Sequence, residues 1–330
     1  MSIKSDFTIV LPVYNGGEYL KECINSILAQ TYPHFILQVY NSFDNTDGST
    51  EYLNSLKDER IMILQATQPL TIEENWARFA TNLNTEYSTI IGQDDLLYPN
   101  FLMEFKNAIE EFPDASLWHS HYDFIDSTGR HIKDCKKMPS SESINDYFKH
   151  ILSMSQDTIG TGYVFRSLDY KKIGGIPMYQ DLLFADFALW IELTSIKYKR
   201  NIGQNLFSFR IHQSTTTKAS PYKYFKGLNS FLIFVNNQIN KGNEELNKII
   251  FNDIHVFLKY YAELLSIKII KYKESHQITV AEVIKSIEVF YIKISPKHAL
   301  KFSIKTKAAL LIEKKYIFNL MYKIFKRIFV

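Results

Sequence analysis

Short unbroken apolar runs alternate with segments whose apolar positions recur every three or four residues through the first part of the chain. Phe7 to Val13 (FTIVLPV) is the first run and predicts a buried strand. Tyr14-Asn15-Gly16-Gly17 makes a turn. From about Glu18 to Gln30, Leu20, Cys23, Ile24, Ile27 and Leu28 share one face of a predicted helix, which Tyr32-Pro33 stops. A second strand over Phe35 to Tyr40, a polar loop over Asn41 to Thr50, a third strand over Arg60 to Leu64 and a helix over Ile72 to Leu83 follow. The fourth strand is Tyr87 to Ile91. This alternation over about the first hundred residues predicts a mostly parallel sheet covered by helices on both faces.

Beyond Pro99, placed to open a helix at its first position, a helix is expected to about Phe112 and a strand over Ala115 to Asp123. The polar stretch 133–157, with a short helix from Ile144 to Leu152, reads as an insertion over the site. The apolar run Tyr163 to Phe165, a glycine-capped helix end over Lys171 to Ile176, a helix over Asp181 to Ile196 and a strand over Leu206 to Ile211 complete this part. From about Tyr222 the pattern becomes one of long helices: Phe225 to Asn240, Asn247 to Ile270 and Thr279 to Ile292. The expected division is therefore an α/β domain over 1–220 and a helical region over 221–330.

Composition narrows the partners. Of 330 residues, 46% are hydrophobic, enough for a folded core, and the net charge of +3 gives no global attraction for nucleic acid. Two cysteines, Cys23 and Cys135, without metal-type spacing suit a reducing compartment, cytoplasmic by default. The N-terminal MSIKSDFTIV lacks an apolar signal core, and no stretch has the length of a membrane span. The last stretch carries Lys297, Lys301, Lys305, Lys307, Lys314, Lys315, Lys323, Lys326 and Arg327 against Glu313, with an apolar stripe of Ile312, Tyr316, Ile317, Leu320, Met321, Ile324, Phe325 and Phe329. Such a basic amphipathic helix fits either the surface of an anionic membrane or a helix docked on the protein's own core.

The chemistry centres on Tyr87 to Pro99, YSTIIGQDDLLYP. Asp94 and Asp95 stand side by side after a buried strand, where two carboxylates repel and call for a divalent cation or a ring of donors. A helix cap is the plainer alternative. Ligands bind outside the carboxyl ends of strands in such sheets. A composite site is expected from Tyr14-Asn15, the Asn41 to Gly48 loop and Asp94-Asp95, with Asn75-Trp76 facing the same rim.

As a set, these residues resemble the family 2 glycosyltransferases of the GT-A fold over about residues 6 to 215. TIVLPVYNGGEYLKECINSILAQTYP is similar to that family's first strand and helix, IIGQDDLLYPNFL to its metal-binding aspartate motif, FADFALWIEL to the helix carrying the catalytic base, and FSFRIHQSTT to its closing strand with Arg-x-His. The resemblance implies an inverting, metal-dependent enzyme that moves a sugar from a UDP-linked donor to a saccharide or lipid-linked acceptor in surface polysaccharide synthesis, and the basic tail would bring a cytoplasmic enzyme of this kind to the inner face of the cell membrane. Val13, Tyr14, Asn15, Ser42, Asp44, Asn75, Gln93 and Asp94 would bind the nucleotide sugar. Asp95, with His212, would hold Mg²⁺ or Mn²⁺, and Asp186 would be the general base. The chain departs from the family pattern where Ser42 and Phe43 stand in place of adjacent acids, and at Gly92 and Ala185. A non-catalytic saccharide-binding protein is the competing class. A sugar nucleotidyltransferase would need a basic, glycine-rich loop after the first strand, and Tyr14 to Glu18 has no base.

Overall fold

The computed structural model describes residues 5–212, 219–271 and 277–315. The described residues fall into two compact units, one drawn from 1–147 and 156–217, the other from 148–155 and 218–330.

The first unit is built on one sheet with strand order β3-β2-β1-β4-β9-β6-β10-β5. The strands are β1 (Phe7–Val13), β2 (Phe35–Asn41), β3 (Ile61–Ile63), β4 (Tyr87–Ile90), β5 (Leu96–Leu97), β6 (Leu117–Ile125), β7 (His131–Asp134), β8 (Ser141–Glu142), β9 (Val164–Arg166) and β10 (Lys199–Arg210). Strand β7 pairs with β6 and β8 with β10. The parallel order expected from the alternation holds across β3, β2, β1 and β4 and again between β6 and β10. Elsewhere the sheet is mixed: β9 runs antiparallel to both β4 and β6, and β5, β7 and β8 are antiparallel additions. Short hairpin-like pieces in the middle of the chain carry no helical period, so the alternation rule has nothing to act on there.

The helices up to residue 196 are α1 (Gly17–Leu28), α2 (Ser49–Ser55), α3 (Ile72–Ala77), α4 (Phe79–Asn82), α5 (Phe101–Glu111), α6 (Ile144–Ser153), α7 (Ser167–Lys172) and α8 (Ala185–Ile196), of which α6 falls mostly in the second unit. Several differ from expectation. The helix over Ile72 to Leu83 is two pieces broken at Arg78, the first closed by a Thr71–Glu74 capping box. Helix α2 starts inside the expected polar loop, behind Gly48 at φ 84°. Pro99 lies ahead of α5, whose N-cap is Asn100. The helix expected from Asp181 begins only at Ala185, behind Asp181, Leu182 and Phe184 with φ of 51°, 54° and 66°. Three left-handed non-glycine residues just ahead of Asp186 are strain of the kind found at functional sites.

Strand β1 is buried along its length apart from Pro12, as a strand covered on both faces must be. Pro12 has no N–H to give to a ladder. Val10 accepts from Ile91 and so faces β4, while Val13 accepts from Ser42 and faces β2. Pro12 is two residues after Val10 and points the same way, where the β1–β4 register has already ended at Val10–Ile90. The two strands part at that proline. The split lies at the point where the strand order reverses, the place ligands take in open α/β sheets.

The second unit contains α9 (Pro221–Asn240), α10 (Glu244–Lys271) and α11 (Val280–Ile294), close to the three helices expected. Residues 304–315 form a further helical stretch. No helix among the described residues is long and apolar enough to cross a membrane. The expected stripe residues from Tyr316 onward lie outside the described residues.

Candidate active site

The rim where β1 and β4 part is held by side-chain amides and hydroxyls. Gln93 clasps Tyr14, accepting from its N–H at 2.9 Å and donating to its carbonyl at 2.8 Å. Asn15, at φ 48°, donates its N–H to Asn45 Oδ1 at 2.7 Å, and its own Oδ1 accepts from Thr46 N at 2.8 Å. Asp47 accepts from Gly17 N at 2.6 Å and from Ser49. Burial pushes the Asp47 carboxyl up, but the bonds from Ser49 and Gly17 outweigh it and hold it below its usual value. The β1–α1 turn and the loop after β2 are thus fastened to each other, leaving the Tyr14 and Phe43 rings about half exposed.

The predicted donor residues do not all reach that rim. Tyr14, Asn15 and Gln93 are on it, and Asp44 is exposed on the neighbouring loop. Val13 has no exposed surface and Ser42 is buried. Asn75 is turned inward rather than toward the rim: its Nδ2 donates to the Tyr40 carbonyl at 3.2 Å, and its Oδ1 accepts from Arg78 at 2.7 Å. Arg78 also donates to the Leu64 carbonyl. An asparagine near a helix start can face either way in sequence; here the Tyr40 carbonyl near the end of β2 and the Arg78 guanidinium, itself held by the carbonyl following β3, capture it.

Asp94 and Asp95 differ in environment. Asp95 is 2% exposed, and its Oδ1 accepts from Arg210 N at 3.0 Å. Burial, then the neighbouring Asp94 charge, push its carboxyl well above the usual carboxylate range. Asp94 is nearer the surface, and its Oδ2 meets His212 Nε2 at 2.5 Å. The other oxygen of each carboxylate converges on Gly92: a Cβ there would lie 2.8 Å from both Asp94 Oδ1 and Asp95 Oδ2. With no side chain, Gly92 leaves open the space that both oxygens face.

The strand β10 completes the turn. Arg210 is buried, donating from Nε to the Asp94 carbonyl at 2.8 Å and from Nη2 to Glu22 at 2.6 Å, with its guanidinium over the Tyr19 ring. His212 packs against the same ring at 5.0 Å between centroids. The role of Glu22 has no sequence signal beyond its place on α1; that of Arg210 is marked by its spacing from His212.

Asp186 sits in the first turn of α8. Desolvation raises its carboxyl to about 6 against the backbone N–H groups of Phe187 and Asp186, which favour ionisation. A Cβ on Gly160 would touch its Oδ2 at 3.5 Å. The next residue, Thr161, donates to the Ile90 carbonyl and accepts from Gly92 N, both at 3.2 Å, and it favours ionised Asp95. The two acids therefore border adjacent residues, which keeps the carboxylates within roughly 15 Å of each other. Neither Gly160 nor Thr161 was singled out by sequence, because their importance lies in what packs against them.

No group of three side-chain ligands is preformed for a metal among the described residues. The donor set nonetheless fits a hard divalent ion that takes one or two carboxylates and completes its shell with phosphate oxygens and water. Two carboxylate oxygens face one small space beside a histidine, and burial and the charge of Asp94 hold the Asp95 carboxyl above its usual range even against the bonds from Arg210 and Thr161.

Comparison with known proteins gives a consistent set. Residues 8–167 match the family described as Glycosyl transferase family 2. An uncharacterised glycosyltransferase of Rickettsia bellii is 25% identical over 247 residues, 70% of this chain and 32% of that protein. The chain thus spans about a third of the length of the first curated relatives it matches. Among solved structures, TarS of S. aureus aligns with a TM-score of 0.62 at 13% identity, covering 88% of this chain and 49% of TarS; a TarS fragment has been solved with UDP-GlcNAc. The mannosyltransferase PcManGT of Pyrobaculum calidifontis, solved with GDP-Man and Mn²⁺, aligns with a TM-score of 0.54 at 13% identity over 94% of this chain and 87% of that one. At such identity these two structures speak for the fold, and the fold is the one the resemblance implied.

Proposed function

Given the match of residues 8–167 to the family described as Glycosyl transferase family 2, we propose that this chain moves a sugar from a nucleoside diphosphate to an acceptor hydroxyl with inversion. The observation that carries this reading is the approach of Asp186 to the Asp94–Asp95 turn through the adjoining residues Gly160 and Thr161. A transferase needs a base across the sugar from the leaving diphosphate, and Asp186 is the acid we assign to that role.

The nucleoside lies in the split between β1 and β4, against Tyr14 and Asn15, with Asp44 at its edge and Gln93 fixing the turn. Val13, Ser42 and Asn75 support this wall from beneath. Asp94 and Asp95 face the diphosphate. Mg²⁺ or Mn²⁺ bound by Asp95 and assisted by His212 would neutralise the charge of the departing diphosphate. Asp186 takes the proton of the acceptor hydroxyl as its oxygen attacks the anomeric carbon, and a single displacement inverts that centre. A carboxyl raised to about 6 is a stronger base than an ordinary aspartate and is still ionised near neutrality. The donor is taken as UDP-linked, as in the TarS complex, and the acceptor as a saccharide or lipid-linked saccharide of surface polysaccharide synthesis at the inner face of the cell membrane.

The test is donor turnover and donor binding measured on the same variants. Asp186→Asn is expected to lose at least about 100-fold in UDP-GlcNAc turnover while still binding UDP with Mn²⁺. Asp95→Ala is expected to lose the metal-dependent part of that binding. Turnover preserved in Asp186→Asn would place the base elsewhere, and unchanged UDP affinity in Asp95→Ala would remove the metal from that acid.

A further inference from the structure

Sequence alone leaves two fates for the basic C-terminal helix, docked on the protein or laid on a membrane. The described part of that helix, residues 304–315, has a face for each. Thr306, Ala309 and Glu313 form its buried row, at the spacing of one helical face. Glu313 turns inward and accepts from Val280 N at 2.7 Å and Ala281 N at 3.2 Å, so it caps the start of α11. The larger apolar residues point the other way: Ile304 is 85% exposed, Leu311 68% and Ile312 53%. Ala308 lies between them and is exposed as well.

That inversion is unusual for a docked helix, which buries its large apolar residues and shows water its polar ones. The outward stripe continues into a groove of about 340 Å³, where Ile267, Ile270 and Lys271 of α10 meet Lys305, Ala308 and Ile312. Its surroundings are basic. Lys271, Lys301, Lys307, Lys314 and Lys315 are all exposed, and the acid of this helix is spent inward on α11. Lys305 is paired with Glu263 at 2.8 Å and is not counted among them.

We propose that the Ile304–Ala308–Leu311–Ile312 face, with the adjoining α10 groove, lies on the surface of an anionic bilayer. The apolar stripe enters the headgroup boundary, and the flanking lysines meet lipid phosphates. Charge complementarity selects this partner: a stripe rimmed by five exposed lysines repels a second copy of itself, whereas each basic residue near an anionic surface adds roughly fivefold to partitioning. The inference deepens the membrane-surface part of the function proposed above and rests on that reading, so turnover is measured alongside binding.

The experiment uses the full chain with sedimented vesicles of phosphatidylcholine, with and without phosphatidylglycerol. Wild type is expected to sediment with the anionic vesicles and not with the neutral ones. The double variant Leu311→Asp, Ile312→Asp is expected to lose at least about tenfold in anionic binding, and Lys307→Glu with Lys314→Glu a similar amount. All four positions are exposed, so thermal midpoint and soluble-donor turnover should stay at wild-type levels. Wild type left in the supernatant, or the Asp double variant binding as wild type does, overturns the proposal. So does lipid-free self-association that the Asp double variant abolishes, which would make this face an interface between copies. Loss of turnover with vesicle binding intact would instead count against the catalytic reading and leave this one standing.

Discussion

In the proposed reaction Asp186 has to be a good base, and its withdrawal from water both makes it one and costs stability. Desolvation lifts its carboxyl to about 6, which strengthens it as a proton acceptor and costs stability whenever it is charged. The folded-state value is above the unfolded one. The stabilising contribution is therefore complete below about pH 4 and is lost as pH rises through about 6. Turnover follows the opposite limb, rising through about pH 6 as the base ionises and levelling above. Asp186→Asn removes the charge while keeping the shape. It should be inactive yet more stable than wild type at pH 8, by about 1–3 kcal/mol, with the gap closing toward pH 4 in urea titrations followed by circular dichroism. A variant less stable at pH 8 would show that Asp186 is not held against a desolvation cost. The Asp94–Asp95 pair stands out in one dimension because it follows a buried strand, whereas Asp186 was marked only by the resemblance of its helix to the family motif. Gly160 and Thr161 were not marked, since neither has a pattern of its own.

Among the elements, the short strands of the middle of the chain were the hardest to read, and one of them depends on a buried ion pair. Lys199 of β10 meets Glu142 of β8 at 2.7 Å, with the two side chains 1% and 0% exposed. Asn201 also donates to Glu142, at 2.6 Å, and the ammonium lies over the Tyr147 ring. Burial draws the Lys199 ammonium below its usual value even against the attraction of Glu142. Removing one partner leaves a buried charge, so Lys199→Met should cost about 3–5 kcal/mol in denaturant unfolding. Adding Glu142→Leu should recover most of that loss, because an apolar pair of similar volume is often as stable as the ion pair. Failure of the second substitution to recover stability would mean that the pair is not the device joining these strands. In a two-residue strand such as β8 no period exists to detect, which is why the polar stretch 133–157 gave no strand in sequence. The longer strands and the helices with clear apolar faces were legible, with ends displaced where a cap or a left-handed residue intervened, as at Gly48 and Phe184.

For the whole molecule, ligand linkage gives the broadest check. A nucleoside diphosphate bound with Mn²⁺ at about 100 times its dissociation constant adds about 2.7 kcal/mol to the unit that holds it. For a unit of this size that corresponds to a melting midpoint raised by about 5–10 °C. UDP with Mn²⁺ should produce the shift and a chelator should abolish it; an equal shift from UDP alone would exclude the metal from donor binding. By itself the sequence determined the alternation of strands and helices, the change to helices near Tyr222, and the carboxylate pair that follows a buried strand, because each is written in local spacing. Only the tertiary structure decided that β1 and β4 part at Pro12, that Asn75 turns inward, that Arg210 fastens the acid turn, and that the helix from Ile304 shows its apolar side to water. Those outcomes depend on which surfaces meet across long separations in the chain, and local spacing holds no record of them.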